Sequence, residues 1–309
     1  MIRILQKTEG HWTSLFPYPN FALQFCIMKL CILIHCPDRP GIIRSVTTFV
    51  HGREGNIVYL DQHVDKQAGV FFMRLESEFQ NQVDLEGFKV EFETELALDF
   101  GMEWEVYTDG HIPRMAIFVS KYNHCLYDLL SRFQAGELQV EIPFILSNHG
   151  DLEYVARQFG IPFHHLPIDG DNREEIERAQ LDLLKAHRVD FMVLARYMQI
   201  ISPGIIDRYP NKIINIHHSF LPAFMGARPY HAAFERGVKI IGATSHYVTA
   251  QLDAGPIIEQ DVTTVSHSHS IADLIAKGRD LERIVLSRAV QLHLARKTMV
   301  YNNKTVIFS

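Results

Sequence analysis

From Arg114 onward, strand-length apolar runs alternate with segments of helical period, and few folds accommodate that pattern. Met115–Val119, Gln139–Ile145, Phe163–Leu166, Phe191–Leu194 and Ile213–Ile216 read as short buried strands. Helical spacing is expected near Cys125–Phe133, near Leu152–Phe159 and over Arg173–Lys185. Such alternation requires a mostly parallel sheet with helices on both faces. One more strand is expected near Ile257–Val265. A closing helix follows from Ile271 to about Ala295, with Leu274, Ile275, Leu281, Ile284 and Val285 on its apolar face.

The preceding stretch has a different rhythm. Leu30–His35 reads as a strand, and Cys36-Pro37-Asp38-Arg39-Pro40-Gly41 as a turn into a helix over Ile42–His51. Ile57–Asp65 and Val70–Glu78 alternate like paired strands joined through Lys66–Gly69. Asp84–Leu98 has helical spacing, and Met102–Tyr107 closes the set as a strand. The order βαββαβ is that of a ferredoxin-like sandwich. The expected organisation is therefore an extension over 1–27, a first domain over 28–107, a linker over 108–113 and a second domain over 114–309.

Composition narrows the functional classes. The 30 basic residues are spread through a chain of net charge −6, so no basic stripe argues for nucleic acid. No apolar run approaches the roughly 20 residues that span a bilayer, so no membrane partner is expected. Cys26, Cys31, Cys36 and Cys125 form no C-x-x-C pair and are too sparse for a disulfide framework, which fits a reducing cytoplasm. Residues 1–27 show neither strand alternation nor helical period, and no small-residue cleavage site of a signal peptide.

The chemistry concentrates in Ile214-Asn215-Ile216-His217-His218-Ser219-Phe220-Leu221-Pro222 and in Leu252-Asp253-Ala254-Gly255-Pro256. On a strand near Lys212–Ile216, Asn215 and His217 project to one face at the C-terminal end, where open α/β sheets place their ligands. An amide, an imidazole and a carboxylate suit attack on, or transfer of, a small acyl group. Asn215 can donate to a carbonyl oxygen that gains negative charge. His217 can bond the same oxygen or move a proton, and Asp253 can hold the imidazole and orient a water. Ser219 lacks a G-x-S-x-G elbow and is read as a turn or capping residue rather than a nucleophile.

These two strings resemble the formyltransferase family that uses 10-formyltetrahydrofolate. The resemblance implies a Rossmann-like α/β formyltransferase domain and a catalytic trio at Asn215, His217 and Asp253. The family commonly has Pro directly after the His; here His218 stands there, and His-His-Ser followed by Phe224–His231 is similar to the deformylase branch. That branch implies a hydrolase that splits 10-formyltetrahydrofolate into formate and tetrahydrofolate, feeding formate to purine synthesis and balancing one-carbon folate pools. No cofactor is expected, the folate being the substrate. Leu194–Ile201 resembles the family segment whose backbone holds the pteridine ring, which assigns Met198, Gln199 and Ile201 to substrate binding, with Thr249 and Ala250 beside them. An apolar cleft with a few polar groups is what a flat heteroaromatic ligand requires. His218 and His246 are expected to support the site from behind.

The turn after the first strand of the second domain bears on the acceptor. A phosphorylated amine acceptor would call for a glycine-rich loop whose backbone N–H groups approach phosphate. The turn here is Ser120-Lys121-Tyr122-Asn123-His124-Cys125, without glycine, and water becomes the favoured acceptor. A formyltransferase to an amine stays open as an alternative, as does a non-catalytic amino-acid sensor. The seventeen histidines invite a metal reading, with His217, His218, His231 and His246 in one region, whereas His267 and His269 are expected in a surface loop. H-E-x-x-H is absent, and no metal is expected.

Asp38-Arg39-Pro40-Gly41-Ile42 resembles the ACT family, whose members bind amino acids or similar effectors, often between paired copies. The resemblance implies an effector site at Asp38, Pro40 and Gly41 and a homo-oligomer. A domain retained only for assembly is the competing expectation.

Overall fold

The computed structural model describes residues 27–223 and 229–309. The expected extension, Ile27 apart, lies outside them together with Cys26, as does Phe224–Arg228 of the stretch after His-His-Ser. The N-terminal elements are β1 (Met28–Pro37), α1 (Ile42–His51), β2 (Asn56–Asp65), β3 (Val70–Phe79), α2 (Leu85–Phe92), α3 (Leu98–Phe100) and β4 (Glu103–Thr108). They form a four-stranded antiparallel sheet of order β2-β3-β1-β4. Strand alternation sends Ile32 and Ile34 to one face, where Val46, Phe49, Phe88 and Phe92 cover them. The expected helix over 84–98 is interrupted, because Glu93–Ala97 adopts a π-turn between α2 and α3.

The second group comprises β5 (Met115–Val119), α4 (His124–Gln134), β6 (Ile145–Ser147), α5 (Glu153–Gln158), β7 (Phe163–His165), α6 (Arg173–Ala186), β8 (Phe191–Ala195), α7 (Pro203–Ile206), β9 (Ile213–His217), α8 (Pro229–Arg236), β10 (Ile240–Tyr247), β11 (Ile257–Thr264) and α9 (Ile271–Leu294). Seven strands run in the order β11-β10-β9-β8-β5-β6-β7. Strands β5 to β9 pair in parallel, whereas β10 and β11 pair antiparallel. Helices cover both faces, burying Ile117, Val119 and Val193 on one side and Phe118, Leu146 and Leu194 on the other. The order turns back between β5 and β8, and the crevice at their C-terminal ends is the ligand position of such sheets.

Three elements depart from the sequence expectation. The strand expected over 139–145 is β6, shifted to 145–147; Pro143 lacks the N–H a central ladder needs, and only a bridge between Arg114 and Glu141 precedes it. Strand β10 carried no apolar signature, since Gly242, Ala243, Thr244, Ser245 and His246 are small or polar, yet residues 241–247 are buried. Past α9 the chain adds a hairpin, β12 (Thr298–Tyr301) and β13 (Lys304–Ile307). Its Met299, with Phe308 beyond it, packs on Leu33, Val70 and Phe72, the second face of the N-terminal sheet. The Arg74 guanidinium joins the same junction, donating to the carbonyls of Ala295 and Arg296 at 2.9 Å each.

Candidate active site

The last residues of β9 carry Asn215 and His217 two positions apart, and both line a cleft of about 430 Å³ at the crevice. Strand pairing sets His246 of β10 directly opposite Asn215. The His246 ring is oriented from behind: Nδ1 lies 2.9 Å from the Tyr247 carbonyl and must carry the proton, so Nε2 accepts from the Asn215 amide at 3.2 Å. That contact fixes which end of Asn215 is nitrogen and leaves its second N–H for the cleft.

Asp253 arrives from the turn between β10 and β11, with φ of 52°, in the left-handed region that side chains seldom occupy. The turn is held by its neighbours. A side chain on Gly255 would collide with the Tyr247 carbonyl, and the Pro256 carbonyl accepts from the Tyr247 N–H at 2.9 Å. Asp253 stands 3.3 Å from His217 Nδ1 and 3.7 Å from His246 Nε2. The hydrogen bond from His217, the largest cause, outweighs burial and holds the Asp253 carboxyl well below the usual range. His217 Nε2 is buried and has no partner among the described residues. An imidazole fixed at one nitrogen and free at the other is arranged to exchange a proton with a bound molecule.

Met198, Gln199, Ile201, Thr249 and Ala250 also line this cleft, together with Ile200, Ile206, Val248 and Leu252. The Met198 N–H is taken by Ser120 Oγ at 2.9 Å, which in turn donates to Asn148 at 2.6 Å, so that amide is engaged by the protein rather than open to a ring. Ser219 is a turn residue, donating to the Ala223 carbonyl at 2.8 Å. Asp38, Pro40 and Gly41 lie apart, exposed at the end of β1. His267 is exposed in a loop and His269 accepts from the Ser266 N–H at 3.0 Å; His231 is exposed on α8.

Sequence reasoning missed the polar cluster behind His218. Glu282 of α9, 1% exposed, meets Tyr230 Oη and His124 Nε2 at 2.7 Å each and Arg196 Nε at 3.3 Å. Burial works to raise its carboxyl, but the His124 hydrogen bond and the Arg196 charge prevail and lower it. A carboxylate inside the apolar stripe of Leu274, Leu281 and Val285 was the available signal. His218 lies with this cluster, its ring 6.1 Å from that of Tyr230. Burial, with the charges of Arg196 and His217, pushes its imidazole down to about 4. Among the described residues, the compact group of metal-capable side chains is His124, Cys125 and Glu282. Burial keeps the Cys125 thiol protonated, and Glu282 is already satisfied, which is a poor donor set for a cation.

Known proteins resemble this chain in sequence and fold. The Formyl transferase family matches residues 113–290 and the ACT domain family residues 32–86. A formyltetrahydrofolate deformylase from Synechocystis sp. is 51% identical over 90% of this chain and 98% of its own. The crystal structure of a formyltetrahydrofolate deformylase from Pseudomonas syringae, 44% identical, superposes with a TM-score of 0.88 over 91% of this chain and 95% of that one. A glycinamide ribonucleotide transformylase from Symbiobacterium toebii, 30% identical, matches 66% of this chain and 97% of its own with a TM-score of 0.61.

Proposed function

The chain belongs to the formyltetrahydrofolate deformylase family, and from that premise we propose that Asn215, His217 and Asp253 drive hydrolysis of 10-formyltetrahydrofolate to formate and tetrahydrofolate. The observation that carries the reading is His217 itself, paired with Asp253 through Nδ1 while Nε2 has no partner among the described residues, in the cleft that Asn215 also lines. Water attacks the formyl carbon as Nε2 takes one of its protons. The carbonyl electrons move to oxygen, and the Asn215 N–H holds the resulting alkoxide. Ionised Asp253 stabilises the imidazolium. When the tetrahedral species collapses, the C–N10 bond breaks, His217 returns its proton to N10, and formic acid leaves to ionise. No cofactor takes part in this scheme.

Met198 to Ile201, Val248 to Ala250 and Leu252 form the walls for the folate ring, with Ile201 and Val248 supplying apolar surface. The acceptor is water because bulky Tyr122 and His124 occupy the turn after β5 where a phosphate cradle would need bare backbone. In the N-terminal half, the ACT-family match supports a small amino-acid effector at Asp38, Pro40 and Gly41 and a homo-oligomer, which effector titration of the rate and sedimentation would check.

The decisive experiment incubates the purified protein with 10-formyltetrahydrofolate alone and assays formate. Release that drops about 10³-fold in Asp253→Asn, with the fold retained, supports the reading. Formylated product with an added amine, and none of the formate with water, sinks it.

A further inference from the structure

Next to the folate cleft lies a second cavity of about 290 Å³, walled by Tyr122, His124, Tyr230 and Glu282. Arg196 and His218 line both spaces and form the partition between them. Strand geometry explains the division: β9 ends at His217, and the next residue turns to the other side. His217 thus faces Asp253, while His218 faces the Glu282 cluster, their ring centroids 5.0 Å apart at 33°.

We infer that His218 is a further catalytic residue, which accepts a hydrogen bond from the attacking water at the partition while His217 Nε2 accepts the other. The inference rests on the hydrolytic reading above. Two imidazole centroids at 5.0 Å can be bridged by the two O–H arms of one water, each reaching about 2.8 Å. The other polar groups at the partition cannot take this role. Arg196 carries donors only, and its guanidinium lies 5.1 Å over the Tyr122 ring. The Glu282 oxygens are engaged by His124, Tyr230 and Arg196. Among the described residues neither His218 ring nitrogen has a hydrogen-bond partner. Burial and the Arg196 and His217 charges, against the opposing Glu282 and Asp253 carboxylates, favour its unprotonated form, which has the lone pair an acceptor needs. The polar second cavity gives water a reservoir on the side away from the folate. One O–H bond of the water breaks toward His217 as its oxygen bonds to the formyl carbon; the second O–H stays on the oxygen, oriented by His218, and leaves in formic acid.

The test compares His218→Leu with His218→Gln, assaying formate from 10-formyltetrahydrofolate beside the wild type. Leu lacks an acceptor and should lower kcat by about 10²-fold with KM within about threefold, while Gln should recover about tenfold of that loss. Thermal melts check that both fold, and His218→Met replaces Leu if Leu does not. A Leu variant within about threefold of wild-type kcat, a loss confined to KM, or a Gln variant no faster than Leu would overturn the role of His218 and leave hydrolysis standing. A wild type that releases no formate overturns hydrolysis, and this inference with it.

Discussion

At the end of β1 the chain turns through Pro40 and Gly41 into α1, and at the end of β5 it turns through Ser120–Asn123 into α4. The two turns occupy the same place in their sheets, after the first strand and before the first helix. Gly41 has φ of 98°, is exposed, and a Cβ on it would meet no neighbour. No side chain caps the start of α1. The second turn is filled: Tyr122 lies under Arg196 and Arg279, and His124 is tied to Glu282. One turn is left uncapped and exposed, and the other is packed with a polar cluster beside His217 and His218. The same topology thus leaves one turn open and fills the other.

The largest effect should come from emptying the filled turn of its buried charge. Glu282→Gln keeps the volume but leaves Arg196 without its counter-charge in a buried site. Breaking such a pair from one side typically costs about 3–5 kcal/mol. Denaturant unfolding of this variant should show a loss of about that size. A loss under about 1 kcal/mol would mean that the cluster is incidental and that the contrast between the turns carries no structural weight.

Acidification should also act through the filled side. His218 is pushed down to about 4 and His293, buried against Tyr247, to about 3, so in the folded state both stay unprotonated below the usual 6.5. The unfolded chain binds those protons first as pH falls. Stability is full above about pH 6.5 and is lost on the way down through each folded-state value, by about 1.4 kcal/mol per pH unit for each group. For His218 the sum by pH 4 is about 3 kcal/mol. Melting temperature measured from pH 7 to pH 4.5 should fall, and His218→Gln should show a shallower slope than wild type. An unchanged slope would show that His218 is not held unprotonated.

What could be read beforehand follows from the range of each interaction. The parallel strands β5, β8 and β9 are apolar runs whose burial dictates composition, and the trio at 215, 217 and 253 stands in strings whose spacing carries the chemistry. Strand β10 escaped because a buried strand flanked by close-packed backbone admits Gly242, Ala243 and Ser245, which have no strand signature. With β10 unseen, the pairing of His246 with Asn215 could not be derived, although His246 was expected near the site. Glu282 and Arg196 meet through tertiary packing, 86 positions apart; Glu282 lies in no motif, and the segment that holds Arg196 pointed to the folate ring rather than to a buried carboxylate. The hairpin's docking on the N-terminal sheet is likewise a long-range contact, between Met299 and residues near Phe72.

Gly41→Ala probes the open turn. A side chain at φ of 98° is strained although space is available, and the left-handed region costs an L-residue about 1–2 kcal/mol. Thermal unfolding should register a loss of about 1 kcal/mol, while kcat for formate release without effector stays within twofold of wild type. A large drop in kcat would tie the open turn directly to catalysis and erase the division of labour between the two.

The smallest effect tests the link between the halves. The hairpin turn presents Asn303, whose Nδ2 donates to the Ala254 carbonyl at 2.9 Å, next to Asp253 in its left-handed conformation. The same hairpin rests on Leu33 and Phe72 of the N-terminal sheet, so a change in that sheet has a physical route to the Asp253 carboxylate. Asn303 is exposed, and water can replace much of the bond in Asn303→Ala. A net hydrogen bond of about 0.5–1 kcal/mol, felt at Asp253 in the transition state, corresponds to a factor of about 2–5 in kcat. KM should stay constant, since Asn303 is not among the residues lining the folate cleft. If kcat is unchanged while the response to an added amino acid is also unchanged, the hairpin only fastens the two sheets together, and the open and filled turns work independently.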